Sequence, residues 1–255
     1  MSNAIITLIS DPLLLPVAFL LVAIISAVFV IASLRYADNA KGTVLRNGTI
    51  ALILWLGLTG VLALNGFYLK DDAMPPRVFY VLFPLILITA WLLTGKRKNL
   101  SVSLSFKMLT LFHVIRIPVE LILFGLYKEG LIPRLMTFEG RNFDILAGLS
   151  APLIYFAAIH GKNVKAGLLL GWNIVSLLLL INIVVNALLS VQTPFQQFAF
   201  DQPNQAVLLF PYVWLPAIVV PVVAFCHLAS IMKLLALIRT SNHTQKVYFH
   251  GAVVK

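Results

Sequence analysis

His113, Arg116 and Glu120 share one apolar run, KMLTLFHVIRIPVELILFGLYKE, from Lys107 to Glu129. A carboxyl and an imidazole can act as general acid or base, and a guanidinium can hold an anionic group. Ionisable groups inside a run of this hydropathy are costly, so the stretch is the first candidate for a functional site. On a helix at about 100° per residue, positions 113, 116, 120 and 124 fall within roughly 60° of each other. They therefore face one destination, a bundle interior or a solvated cavity rather than lipid. Arg116 and Glu120, one turn apart, are placed to pair. Pro118 between them offers no N–H to the carbonyl of Val114, which predicts a kink.

Other polar residues of matching depth extend the candidate site. Asn65 stands near one end of a second apolar run, and Asn182 and Asn186 lie one turn apart in a Leu-rich run. The connection EGLIPRLMTFEGRNFD brings Glu139, Arg141, Asn142 and Asp144 above the same depth, and its mixed charge with interspersed aromatics suits a lid. The expected ligand-binding set is thus His113, Arg116, Glu120, Asn65, Asn182, Asn186, Glu139, Arg141, Asn142 and Asp144, with Glu120 and His113 as the catalytic candidates if chemistry occurs. The simpler alternative is a buried Arg116–Glu120 ion pair that only fixes the helix.

His160 and His227, at comparable estimated depth near the opposite end, could hold a haem or metal between two helices, but two histidines are a weak signal. His113 is expected to lie too far away to join them. The single cysteine, Cys226, excludes an intramolecular disulfide and any CxxC zinc spacing, so no metal is assigned and the cofactor stays unknown.

The elements that must position these groups are hydrophobic helices. Of 255 residues, 60% are hydrophobic and 11% charged, and the mean hydropathy is +0.97. These values exclude an ordinary soluble domain. The formal net charge of +10 comes from Lys and Arg in short connections, not from a nucleic-acid-binding stripe. Seven stretches approach the length needed for a hydrocarbon core of roughly 30 Å: 12–34, 49–69, 78–95, 104–127, 143–161, 166–190 and 207–238. The fold expected is all-α, a polytopic membrane bundle of seven transmembrane helices in a single domain. Residues 240–255 read as a short basic tail. Lys and Arg cluster after the first, third, fifth and seventh stretches, which places the N-terminus outside and the C-terminus in the cytoplasm. Three closely spaced prolines, Pro211, Pro216 and Pro221, predict a bent start to the last span.

Seven spans invite comparison with retinal proteins and with seven-helix zinc hydrolases, yet the residues match neither. Lys233 lies toward the inner end of the last span, and that span carries one histidine rather than a pair. The expected function is binding or transport of a small amphipathic or anionic ligand in an outward-facing polar pocket. A membrane-embedded acid–base enzyme using Glu120 or His113 and a structural subunit of a membrane complex are the alternatives. The expected partner is the lipid bilayer, and the expected location the plasma membrane or a bacterial inner membrane.

Overall fold

The computed structural model describes residues 13–37, 42–70, 74–84, 86–87, 104–160 and 164–251. Among them the regular structure is entirely helical. Seven α-helices follow in order: α1 Leu14–Ala37, α2 Thr43–Leu64, α3 Phe106–Leu111, α4 Arg116–Lys128, α5 Asp144–Ile154, α6 Ala166–Leu188 and α7 Val220–Gly251. Seven helices are not seven spans. α3 and α4 join through a 3₁₀ turn, Phe112–Ile115, into one rod, Phe106–Lys128. Among the described residues, five helices are long and apolar enough to cross a bilayer: Leu14–Tyr36, Thr43–Leu64, Phe106–Lys128, Ala166–Leu188 and Leu215–Thr240. α5 with its π-helical extension, Asp144–Ile159, is shorter. Of the third expected stretch, 78–95, the described part opens as a 3₁₀ helix, Arg77–Leu82. Most of the remainder, with Lys96, Arg97 and Lys98, lies outside the described residues. α7 continues as helix through Gly251, into the stretch read from sequence as a short basic tail.

Burial separates centre from periphery. In the rod Phe106–Lys128 and in Leu215–Thr240, 61% and 67% of the most apolar window is buried, against 28% for the first helix, 17% for α2 and 28% for α6. The two buried helices form the axis. α1 packs on α2 and α4, α5 on α4 and α6, and α6 on α7. Phe19 and Val22 of α1, Leu123 and Leu126 of α4, Leu180 of α6 and Val222 of α7 meet in the main core. The outer helices leave rows of large aliphatic side chains exposed, among them Leu21, Ile24 and Ile25 of α1 and Ile53, Leu54 and Leu58 of α2. Apolar faces of that extent suit a hydrocarbon surround.

Prolines set the local irregularities. Pro118 offers no donor to the Val114 carbonyl, and the chain responds by tightening into the 3₁₀ turn, whose terminal N–H groups take the carbonyls of His113 and Val114. The expected orphan carbonyl is therefore satisfied. Pro221 likewise leaves the Ala217 carbonyl without its α-helical donor. A π-helical turn, Leu215–Val219, covers this region, and the Trp55 indole donates to the Ala217 carbonyl at 3.1 Å. Trp214 reciprocates by donating to the Leu56 carbonyl at 3.1 Å, which ties α2 to the start of the last helix.

Candidate functional site

The rod centred on the 3₁₀ turn carries the polar core. His113, Arg116 and Glu120 are 0%, 2% and 1% exposed, so none faces the surroundings of the bundle. α5 crosses α4 directly over Arg116, an approach that Gly148 permits: a Cβ there would lie 3.2 Å from Arg116 Cβ and 3.0 Å from Ile117 Cγ1. The close crossing brings Asp144, in the first turn of α5, to the guanidinium. Arg116 Nε lies 3.1 Å from Asp144 Oδ2, and Nη1 and Nη2 each donate to the Ser176 carbonyl of α6 at 3.4 Å.

The sequence reading paired Arg116 with Glu120, and the structure differs. The salt bridge goes to Asp144, because Arg116 is drawn across to α5. An acid in the first turn of a helix is also favoured by that helix's dipole. Glu120 is held by Asn142 instead. The Asn142 amide donates to Glu120 Oε1 and, at 3.0 Å, to the Met136 carbonyl, while Asn142 Oδ1 accepts the backbone N–H of Asp144 at 3.0 Å. One asparagine thus ties the connection between α4 and α5 to both carboxylate-bearing helices.

That connection is folded, not slack. Thr137 Oγ1 donates to the Arg134 carbonyl at 2.9 Å, and Arg141 N–H to the Leu135 carbonyl at 3.1 Å. Gly140 packs against the Arg134 and Leu135 backbone, where a Cβ would collide. Phe138 stacks on Phe124 of α4 at 4.9 Å, and the Asn182 amide donates to the Arg141 carbonyl at 2.9 Å. Residues 129–143 therefore cap this end of the bundle.

The expected site residues separate accordingly. His113, Arg116, Glu120, Asn142 and Asp144 are buried together around the rod. Asn182 is exposed and holds the cap through Arg141; Asn186 is buried and donates to Asn182, one turn away. Glu139 lies on the cap surface, 3.9 Å from Arg134. Asn65 is exposed at the end of α2 and donates to its own Val61 carbonyl at 2.8 Å, so it is not brought to the core.

The histidines are arranged differently from the sequence reading. His227 stacks on His113, with ring centroids 3.8 Å apart, and Trp172 sets its ring near both. His160 is exposed and rests beside Tyr155 and Phe156. Depth along separate helices did not reveal that the 3₁₀ turn sets His113 against His227 of α7. The His227 tautomer follows from its neighbour. Asn173 Nδ2 donates to the Leu169 carbonyl, so Asn173 Oδ1 accepts from His227 Nδ1 at 2.9 Å, and His227 Nε2 is a bare acceptor. Stacked rings do not converge on a common ligand, and among the described residues no cluster of three His, Cys, Asp or Glu side chains could hold a metal.

Several buried atoms of this core lack a hydrogen-bond partner: Glu120 Oε2, Asp144 Oδ1, both ring nitrogens of His113 and His227 Nε2. Residues missed by the sequence reading complete the set. Asn173 orients His227, and the Ser176 carbonyl receives Arg116. Their i and i+3 spacing on α6 was the available signal.

Cavities lie elsewhere. A groove of about 350 Å³ is lined by Trp55, Leu58, Leu62, Phe67, Tyr80 and Phe83, and a cavity of about 50 Å³ runs between α6 and the π-helical turn. Neither is lined by Arg116 or Glu120; with these side chains 2% and 1% exposed, the polar core is closed in this conformation.

No curated protein and no solved structure matches the chain. One family matches residues 74–235, a range that takes in the whole polar core, the cap and most of the last helix while leaving α1 and α2 outside. Since that range is more than half of the chain, the protein belongs to the family described as Domain of unknown function (DUF8737).

Proposed function

We propose that the chain is a multi-pass membrane protein of seven spans, N-terminus outside, that binds or transports a small amphipathic or anionic ligand at the polar core around Arg116. The observation that carries this reading is a buried set of ionisable side chains: Arg116, Glu120, His113 and His227 inside helices of membrane length, and Asp144 on the shorter α5 beside them. Such groups are expensive in a bilayer and concentrate where solutes or protons pass. The cap over residues 129–143 governs access. It touches Glu120 through one side chain, Asn142, so releasing that contact opens the core from the capped end. An anionic ligand then competes with Asp144 for Arg116.

Mass spectrometry of small molecules that copurify with the protein from mild detergent tests this directly. The wild type should carry a defined small molecule at near-stoichiometric level, and Arg116→Ala should lose it while Asp201→Asn, altered on the exposed surface, should keep it. A wild type that carries nothing, or an Arg116→Ala protein that retains the same molecule, counts against the proposal.

A further inference from the structure

Charge does not balance in the polar core if both carboxyls are ionised. Arg116 is then the sole cation among its facing groups, against Glu120 of the same helix and Asp144 of α5. The remaining groups that face them are His113 on the 3₁₀ turn, Asn142 of the cap, Asn173 and Ser176 of α6, and Cys226 and His227 of α7. The histidines are poorly placed to supply the missing positive charge. An imidazolium presents two N–H donors, and neither ring nitrogen of His113 has an acceptor. Its stacked neighbour His227 already spends Nδ1–H on Asn173. Two carboxylate oxygens, Glu120 Oε2 and Asp144 Oδ1, are buried without a donor. A proton would neutralise the excess charge and create a donor where none exists.

We infer that the polar core binds one proton on its carboxyl pair, resident on Glu120 Oε2 while the cap is closed. The inference deepens the ligand-binding reading above, on which its biological role rests, by naming the proton as a ligand of the core. Glu120 rather than Asp144 takes it for geometric reasons. Asp144 forms the ion pair with Arg116, its Oδ2 3.1 Å from Nε, and occupies the first turn of α5, where a negative charge is favoured. Glu120 sits within α4, is 1% exposed, makes no salt bridge, and receives only the neutral amide of Asn142. Uptake forms one O–H bond, takes the proton from water at the capped end when Asn142 swings away, and changes the net charge of the core from −1 to zero. Release is the reverse, with no change of oxidation state.

Infrared spectroscopy of the full-length protein in detergent at neutral pH reads the protonated carboxyl through its C=O stretch, which shifts down in D₂O. The wild type should show this band, Glu120→Gln should lose it, and Asp201→Asn, at an exposed carboxyl, should keep it. Asn142→Ala leaves both carboxyls in place and removes the amide donor from Glu120 Oε1. It should shift the band to higher frequency, and it decides the matter if Glu120→Gln does not fold. A wild type with no such band, a band that survives Glu120→Gln, or one unmoved by Asn142→Ala overturns the inference. The ligand-binding reading is judged separately by the copurifying molecule, so either can fail alone.

Discussion

At the scale of single residues, the sequence exposes which side chains share a helix face but not whom they meet. His113, Arg116 and Glu120 were legible as one buried face because 3.6-residue periodicity fixes direction. Their partners were not, because Asp144 and Asn142 reach the rod only through the path of the cap and the crossing of α5. The Arg116–Asp144 pair supplies a stability test. Removing one member of a buried ion pair strands the other, at a cost of about 3–5 kcal/mol. Arg116→Leu and Asp144→Leu should each lower unfolding stability in detergent by about that amount, and the double variant should lose much less than their sum. Additive losses in a denaturant titration would show that the two side chains do not depend on each other.

At the scale of elements, prolines and small residues set how closely the helices approach. The irregularity near Pro118 was readable, since a missing N–H must disturb the turn before it, but the form of the response was not. A 3₁₀ turn and a kink relieve the same defect, and packing against α5 and α7 selects between them. Gly148 is the decisive contact, because a Cβ there would press on Arg116 Cβ at 3.2 Å and Ile117 Cγ1 at 3.0 Å. Gly148→Val should push α5 outward, cost about 1–3 kcal/mol as overpacking, and loosen the Arg116–Asp144 pair. Hydrogen exchange of the α5 N-terminal amides should then rise; unchanged exchange would mean that the crossing tolerates the side chain. The bracket formed by Trp55 and the Ala217 carbonyl gives a second test. Trp55→Phe keeps an aromatic ring and deletes the donor, with an expected loss of about 0.5–1.5 kcal/mol in unfolding stability.

At the scale of the whole molecule, the helices and their connections agree on a polarity that can be measured. Leu131 O accepts from the backbone N–H groups of Gln205 and Ala206, and Phe79 lies beside Phe195, so the connections around residues 79, 131 and 205 gather at one end. At the other end Lys233 Nζ donates to the Leu104 carbonyl at 2.7 Å, whereas the sequence alone placed Lys233 only toward the inner end of the last span. Arg35 in the last turn of α1, Arg46 in α2, Lys165 before α6 and Arg239 in α7 fall toward that second end by helix direction. Basic residues there and acids mixed with bases at the capped end are the pattern from which the proposed orientation, cap outside, follows. Hydropathy made the long helices legible, and α5 is the short one among them. Its apolar stretch, Asp144–Ile159, reaches only roughly 24 Å at 1.5 Å per residue, short of a hydrocarbon core of about 30 Å. Single cysteines decide the orientation, since native Cys226 is buried. In intact cells a membrane-impermeant maleimide should label Gln197→Cys, exposed at the capped end, and should label Arg46→Cys only after permeabilisation. The reverse pattern would turn the cap, and with it the access route to Glu120, toward the cytoplasm; labelling of both sites in intact cells would remove the membrane barrier on which the proposed transport depends.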